Sequence, residues 1–485
     1  MHAMTYAELP EYCKSELKVA EMCRKMAVTA WPVNRPLMEQ HIATLEAEMA
    51  KLEADIMPRV PLTATPKESK IRQKDWRDPE QPEFNYVKKP FTSTGKWGKP
   101  TANHWSDFTK CDDGMIYNEN ARWYNYEVWG PYSRIEWTKM SLTSDKQVKQ
   151  YLLSIGWKPD TWNISKAGKN KGKVTGPKLT MSSLDSIKDD TGKLIAQHLK
   201  CQHRKSMFEG WIKILDERGD GRIPSEVNPQ GCPTVRMTHK NIVNVPSPEK
   251  KQYFAKECRE VFIADPGYKL VGADADACQL RMLAHYMDDD EFTEALLHGD
   301  KDKGTDLHTL NMKKAGLPSR GHAKNFIYGF LFGAGAEKVG KLINKDAKAG
   351  KKIIDQYLDG LPKLKALRKG LKQRWEQRGY LIGLDGRRLY VRQSHELLCY
   401  LLQGGEAILM KLAMCYLQSW IDAEGLDARL LCVMHDEYTW MVREDQAERV
   451  AYLSETAIEM AGLHLHTNVP MTGSSKIGDN WYEIH

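Results

Sequence analysis

The ten cysteines of this 485-residue chain contain no Cys-x-x-Cys pair. That pattern argues against a zinc ribbon and against a secreted disulfide framework. No run of about 18 apolar residues stands out, so a membrane span is not expected. Glu8, Glu11 and Glu16 near the start do not suit a signal peptide. A reducing cytoplasm is the expected setting. A strong charge of either sign is also lacking. The net charge is +7 and the pI about 8.7, which permits a nucleic-acid partner without requiring one. With 41% hydrophobic and 28% charged residues the composition is that of a globular protein. The length implies several cores rather than one.

Periodicity then orders the chain. Residues 1–30 read as a helix. Asn34 caps the next one, with Pro36 in its first turn. Ile42, Leu45, Met49, Leu52 and Ile56 recur at spacings of three and four along it, and Pro58 ends it. From Met57 to about Met140 the period is lost, and six tryptophans (76, 97, 105, 123, 129 and 137) crowd the stretch. That aromatic density argues against disorder. The stretch is either a tryptophan-stapled subdomain or a surface for DNA or a partner protein. Ser144 to Trp157 and Leu184 to Asp216 read as helices, with a strand-rich region from Gly221 to Pro246. Between the helices, residues 166–178 carry five lysines and no acid. Lys166, Lys169, Lys171 and Lys173 form either a solvated loop or a clamp on a phosphate backbone.

Three stretches carry chemistry. Leu430 to Met434 and Tyr438 to Val442 read as a buried hairpin with His435, Asp436 and Glu437 at its tip. Adjacent carboxylates there repel and call for a hard divalent cation. Tyr268 to Ala273 reads as a second strand, ending at Asp274 and followed by a helix over Ala277 to Met287. If the two strands share a sheet, Asp274 and Asp436 can hold two magnesium ions between them, as nucleotidyl transfer requires. Asp276 is expected to point elsewhere. Pro318 to Phe332 reads as a helix stopped by Gly333 and Gly335. It places Arg320, Lys324 and Tyr328 on one face. Two cations and an aromatic ring suit a nucleoside triphosphate.

These stretches resemble motifs A, B and C of the family A (Pol I-type) DNA polymerases: Asp274 with Leu280-Arg281, then Arg320-x-x-x-Lys324-x-x-x-Tyr328-Gly329, then His435-Asp436-Glu437. Lys324 to Gly335, Leu384-Asp-Gly-Arg-Arg388 and the final Gly478-Asp-Asn-Trp-x-x-x-His485 are similar to the replicative enzymes of short-tailed phages. The resemblance implies an α+β right-hand fold and template-directed addition of dNTPs to a primer-template DNA in an infected bacterial cell. It implies an exonuclease-like remnant at 1–33, a helical thumb at 34–205 with an insertion at about 57–140, an antiparallel-sheet palm at 206–287 and 404–485, and helical fingers at 288–403. Asp274, Asp436 and the Ala275 carbonyl become ligands of two Mg2+ ions. Lys324 and Glu437 join the catalytic groups. Arg320, Lys324, Tyr328 and His308 become the nucleotide site, with Gln279 and Phe332 at its sugar end. Arg236 and Gln403 face the minor groove of the new duplex, and His435 lies beside the primer end. The minor groove shows nearly the same acceptors for every correct pair, so donors there check geometry without reading sequence.

The chain departs from the family at several places. Gln279 stands where the family carries a Glu that screens the sugar 2′ position, and Phe332 where it carries that Glu's Tyr partner. Thr234-Val235-Arg236 replaces a Thr-Gly-Arg signature, so the backbone at Val235 is expected to avoid positive φ. Tyr12-x-x-x-Glu16 is similar to the last exonuclease motif with Glu for Asp, and the earlier exonuclease carboxylates are missing. No proofreading is expected from this polypeptide. A separate exonuclease chain could dock near residues 1–30, and a processivity factor on 57–140. Two other readings remain: a single-subunit RNA polymerase-like enzyme, whose third motif usually carries Ser where Glu437 stands, and a non-catalytic DNA-binding replication protein.

Overall fold

The computed structural model describes residues 6–61, 63–66, 109–110, 115–117, 122–124, 135–343 and 345–485. Most of the tryptophan-rich stretch at 57–140, with the partner surface expected on it, lies outside the described residues. The chain forms two compact units, one of Met1–Ile42 with Met207–His485 and one of Ala43–Ser206.

The larger unit is built on a four-stranded antiparallel sheet. Its strands are β1 (Tyr268–Ala275), β2 (Ala428–Met434), β3 (Glu437–Arg443) and β4 (Gly473–Gly478), in the order β2-β3-β1-β4. Leu270 to Ala273 are buried at the centre, which is why β1 reads as an apolar run rather than an alternation. Gly272 is required there: a Cβ would stand 2.9 Å from the Ile484 side chain. The C-terminal segment therefore packs directly on the central strand.

Helices cover this sheet and extend from it. They are α1 (Glu11–Thr29), α2 (Cys278–Met287), α3 (Leu307–Ala315), α4 (Arg320–Leu331), α5 (Leu397–Glu424) and α6 (Ala447–His464). Helix α5 is buried nearly all round, as a helix apolar on every face must be. By length and composition the segment Ser394–Glu424 could cross a membrane, although Gln403, Glu406 and Lys411 interrupt its apolar residues. Yet 83% of its most apolar window is buried inside the protein, the behaviour of a core helix. Between α2 and α5 in the chain, α4 meets the helix Ala347–Gly360 through edge-on aromatic rings and α3 meets it through a buried hydrogen bond. Tyr357 lies edge-on to Phe326 and Phe330, and its hydroxyl donates to Asn311 Oδ1 at 2.8 Å.

Several local expectations shift. The helix expected over Leu184 to Asp216 is broken at 186–189 into Met181–Asp185 and Asp190–Arg218. Of the segment 234–238, only Thr238 is in a strand. In the smaller unit the stretch from Lys166 to Lys173 is an exposed loop with a 3-10 turn at Gly168–Asn170. It joins a two-stranded ribbon of Trp162–Ile164 and Val174–Pro177, with Lys166, Lys169, Lys171 and Lys173 all exposed.

Candidate active site

Strands β2 and β3 are joined by His435 and Asp436 alone. So short a hairpin loop needs a left-handed residue, and His435 supplies it at φ 51°. Histidine visits that region more readily than β-branched residues do. Across the sheet Asp274 pairs with Glu437, and the Ala275 amide donates to the Asp436 carbonyl at 2.9 Å. The tertiary pairing thus gathers three carboxylates at one end of the sheet.

Their crowding shows in their acidities. Asp274 is exposed as a residue, yet its carboxyl is pushed up to about 8 by desolvation, then by Asp436 and Glu437. Burial also raises Asp436, opposed by its own backbone and by Arg236. Glu437 is pushed up to about 7 by burial, opposed by Arg259. Its Oε1 lies 3.3 Å from Nε2 of His485, so its carboxylate turns toward the C-terminus. His435 is pushed down to about 4 by burial, then by Arg236 and His239, so its imidazole is neutral at pH 7. Asp276 accepts from Thr472 Oγ1 and Ser474 Oγ, each at 2.9 Å, which ties its carboxylate to β4.

Two carboxylates and a main-chain carbonyl are oxygen donors of the kind Mg2+ takes, with positions left for water and phosphate. Among the described residues no group of three or more His, Cys, Asp or Glu side chains is arranged to hold an ion unaided.

Helix α4 begins at Ser319, whose hydroxyl accepts the His322 amide at 3.3 Å. Its face carries Arg320, Lys324 and Tyr328 one turn apart. Arg320 is oriented by Asp306, with Nε and Nη2 each 3.0 Å from Oδ1. Asp306 also caps α3, accepting the His308 amide at 3.0 Å. Lys324 is exposed. The His308 and Tyr328 rings lie 6.5 Å apart. Burial, then Arg320, lowers the His308 pKa. Burial, then Asp436, raises the Tyr328 hydroxyl, so this face looks toward the carboxylates. Phe332 follows the last helical residue and is 45% exposed.

Arg236 donates from Nη2 to Oε1 of Glu406, which is fully buried on α5. Gln403 lies just under one turn earlier on the same helix and is half-buried. Gln279, in the first turn of α2, is near enough to Glu406 to lower its pKa. Val235 takes φ 57°, which overturns the expectation of negative φ there. The tight loop forces it: Val235 N–H donates to Cys232 O at 2.9 Å, and Cys232 N–H to Arg236 O at 3.1 Å.

Glu16 does not stand free as an exonuclease ligand. It is 7% exposed and is held by Arg387 and by Lys411 Nζ at 2.8 Å. Sequence reasoning misses Glu406, Asp306, Arg259 and His485 as parts of this neighbourhood. One signal exists for the first: Glu406 and Lys411 are the two charged residues in the otherwise uncharged stretch 397–421. The others become neighbours through packing alone.

The sequence model of DNA polymerase family A matches residues 131–483. A DNA-directed DNA polymerase of Enterobacteria phage T3 is 29% identical over 405 residues, covering 74% of this chain and 55% of that protein. One from Escherichia phage Phieco32 is 26% identical, covering 83% and 80%. The chain thus spans about half the length of the T3 relative. Among solved structures, the POL domain of Pol1 from M. smegmatis, in complex with DNA primer-template and dNTP, superposes with a TM-score of 0.63. Its identity is 18%, and the match covers 96% of this chain and 70% of that one. The fold is therefore the α+β polymerase fold expected from the three motifs.

Proposed function

The chain belongs to DNA polymerase family A, and from that premise we propose that it extends a DNA primer along a template with dNTPs. The observation that carries this is the pairing of Asp274 with Glu437 and of the Ala275 amide with the Asp436 carbonyl. It brings two carboxylates distant in sequence onto one rigid sheet end, as a nucleotidyl-transfer site needs.

Asp274, Asp436 and the Ala275 carbonyl would hold the metals. When bound, two magnesium ions supply an activated primer hydroxyl and support for the leaving pyrophosphate. Arg320, oriented by Asp306, forks onto the triphosphate, and Lys324 places a point charge beside it. His308 flanks the phosphates as a neutral donor. Tyr328 stacks on the incoming base. Arg236 and Gln403 line the minor groove at the primer end, with His435 beside them. Glu437 braces the hairpin tip against the C-terminus. Gln279 and Phe332 form a neutral sugar gate, which leaves deoxyribose selection more to shape. Residues 206–287 and 404–485 act as palm, 288–403 as fingers and 34–205 as thumb, with the lysine ribbon on duplex phosphates.

The phage relatives support a role in phage genome replication inside a bacterial cell. The engagement of Glu16 by Arg387 and Lys411 supports the absence of proofreading from this polypeptide. A separate exonuclease chain docking on residues 1–30 and a processivity factor on 57–140 remain part of the proposal.

Primer extension with purified protein, with and without magnesium, tests the reading. Templated addition of dNTPs that stops on chelation and in Asp436→Ala is the expected result. No addition by the parent protein defeats the reading. Equal use of rNTPs favours the RNA polymerase alternative.

A further inference from the structure

Helix α5 buries two charged side chains, and their surroundings differ. Lys411 Nζ has three partners, both Glu16 oxygens at 2.8 and 2.9 Å and the Pro229 carbonyl at 2.7 Å. That network is complete, as a buried structural ion cluster must be. Glu406 sits on the same helix with no exposure at all. Its carboxylate receives Arg236 and is approached by the Gln279 amide, while the Arg236 Nε and the Gln279 Oε1 are buried without a partner. Buried polar atoms are rarely left so, and two beside one buried carboxylate call for an explanation.

Two further observations bear on this cluster. Arg236 acts on the catalytic end of the sheet, since it lowers the pKa of both Asp436 and His435. Its backbone is strained, because Val235 just before it holds φ 57°, costly for a β-branched residue. A guanidinium fixed from below by a carboxylate and from behind by a strained loop has given up its freedom before any ligand arrives. Such fixing makes a donor discriminating: it bonds an acceptor at one position and does not follow it elsewhere.

Resting on the polymerase reading above, we infer that Glu406 is a positioning residue, locking Arg236 so that its free N–H groups meet the minor-groove acceptor of a correctly paired primer end and miss that of a mispaired one. Glu406 itself touches neither substrate nor metal. Desolvation pushes its carboxyl up to about 7 and Arg236 opposes this, so contact with Arg236 favours the charged form of the carboxylate. The specificity at stake is the choice between extending a matched and a mismatched primer.

The test is a double-mutant cycle of Glu406→Gln and Arg236→Ala on the full chain with magnesium, measuring single-nucleotide extension of matched and mismatched primers. Glu406→Gln is expected to lower the matched-to-mismatched ratio about tenfold, with the KM for the nucleotide little changed. In the Arg236→Ala background it should lower the ratio no further. An additive cycle, or an equal fall on both primers, overturns the inference while leaving the polymerase reading intact. A parent protein that extends no primer overturns both. If Glu406→Gln does not fold, Glu406→Asp keeps the charge but shortens its reach. It should lose the same discrimination, and a parent-like ratio in a folded Glu406→Asp overturns the inference.

Discussion

Glu16 and Arg387 stand 371 positions apart and form a buried ion pair. Lys411 shares the same carboxylate, and Asp385 holds the other side of Arg387. The pair fastens α1 to the loop before α5 and to α5 itself. Removing Glu16 leaves two cations buried with less counter-charge. Glu16→Ala should therefore lose about 3–5 kcal/mol of stability, read from denaturant midpoints. A loss below about 1 kcal/mol, the scale of a surface pair, would mean the cluster relaxes into water.

Asp274 links stability to pH in the metal-free protein. Its folded value of about 8 lies above the ordinary carboxylate value of about 4. Between those limits the native state keeps a proton that the unfolded chain has released. The stabilisation is full below the lower limit and lost as pH rises through about 8. Asp274→Asn should thus melt higher than the parent at pH 8 and no higher at pH 4. Magnesium should raise the parent's melting temperature and not the variant's. Equal magnesium shifts would remove Asp274 from the metal site.

Lys324 is exposed on α4, where its ammonium is free to meet a ligand from solvent. Its removal should cost little stability. Lys324→Ala should lower kcat/KM for dNTP about 10²–10³-fold, the usual cost of one preorganised charge contact. Steady-state kinetics beside a melting curve separates the two effects. A variant as active as the parent would deny Lys324 contact with the triphosphate.

The sugar gate has a direct test. Gln279→Glu restores a carboxylate beside Glu406 and should sharpen discrimination between dNTP and rNTP, measured as the ratio of their kcat/KM values. An unchanged ratio would defeat the reading of Gln279 as a weakened gate that leaves selection to shape. A fall in stability is expected too, since burial and Asp436 already push Glu406 up to about 7.

The lysine ribbon should show itself through salt. Replacing Lys166, Lys169, Lys171 and Lys173 with alanine should weaken primer-template binding at low ionic strength. For every phosphate that a lysine no longer neutralises, the log–log salt dependence flattens by about 0.9. Titration by anisotropy at several salt concentrations reads this, and a parallel slope would make the ribbon a solvated arm.

Apolar runs, helical period, capping and acid placement are local, and the chain alone determined what depends on them. The hairpin around His435 and Asp436 and the strand ending near Asp274 follow from short apolar runs closed by polar residues, and the face of Arg320, Lys324 and Tyr328 from a period of 3.6 residues. The family likeness follows from the order of those same short stretches. Contacts between distant segments have no such local trace. The pairing of Asp274 with Glu437, the clasp of Glu16 by Arg387 and Lys411, and the bond from Arg236 to Glu406 arise only when the sheet and α5 pack. Val235 shows the same divide. Its side chain disfavours positive φ, but closing the loop between Cys232 and Arg236 costs less than leaving two amides unpaired, so tertiary geometry prevails over local preference.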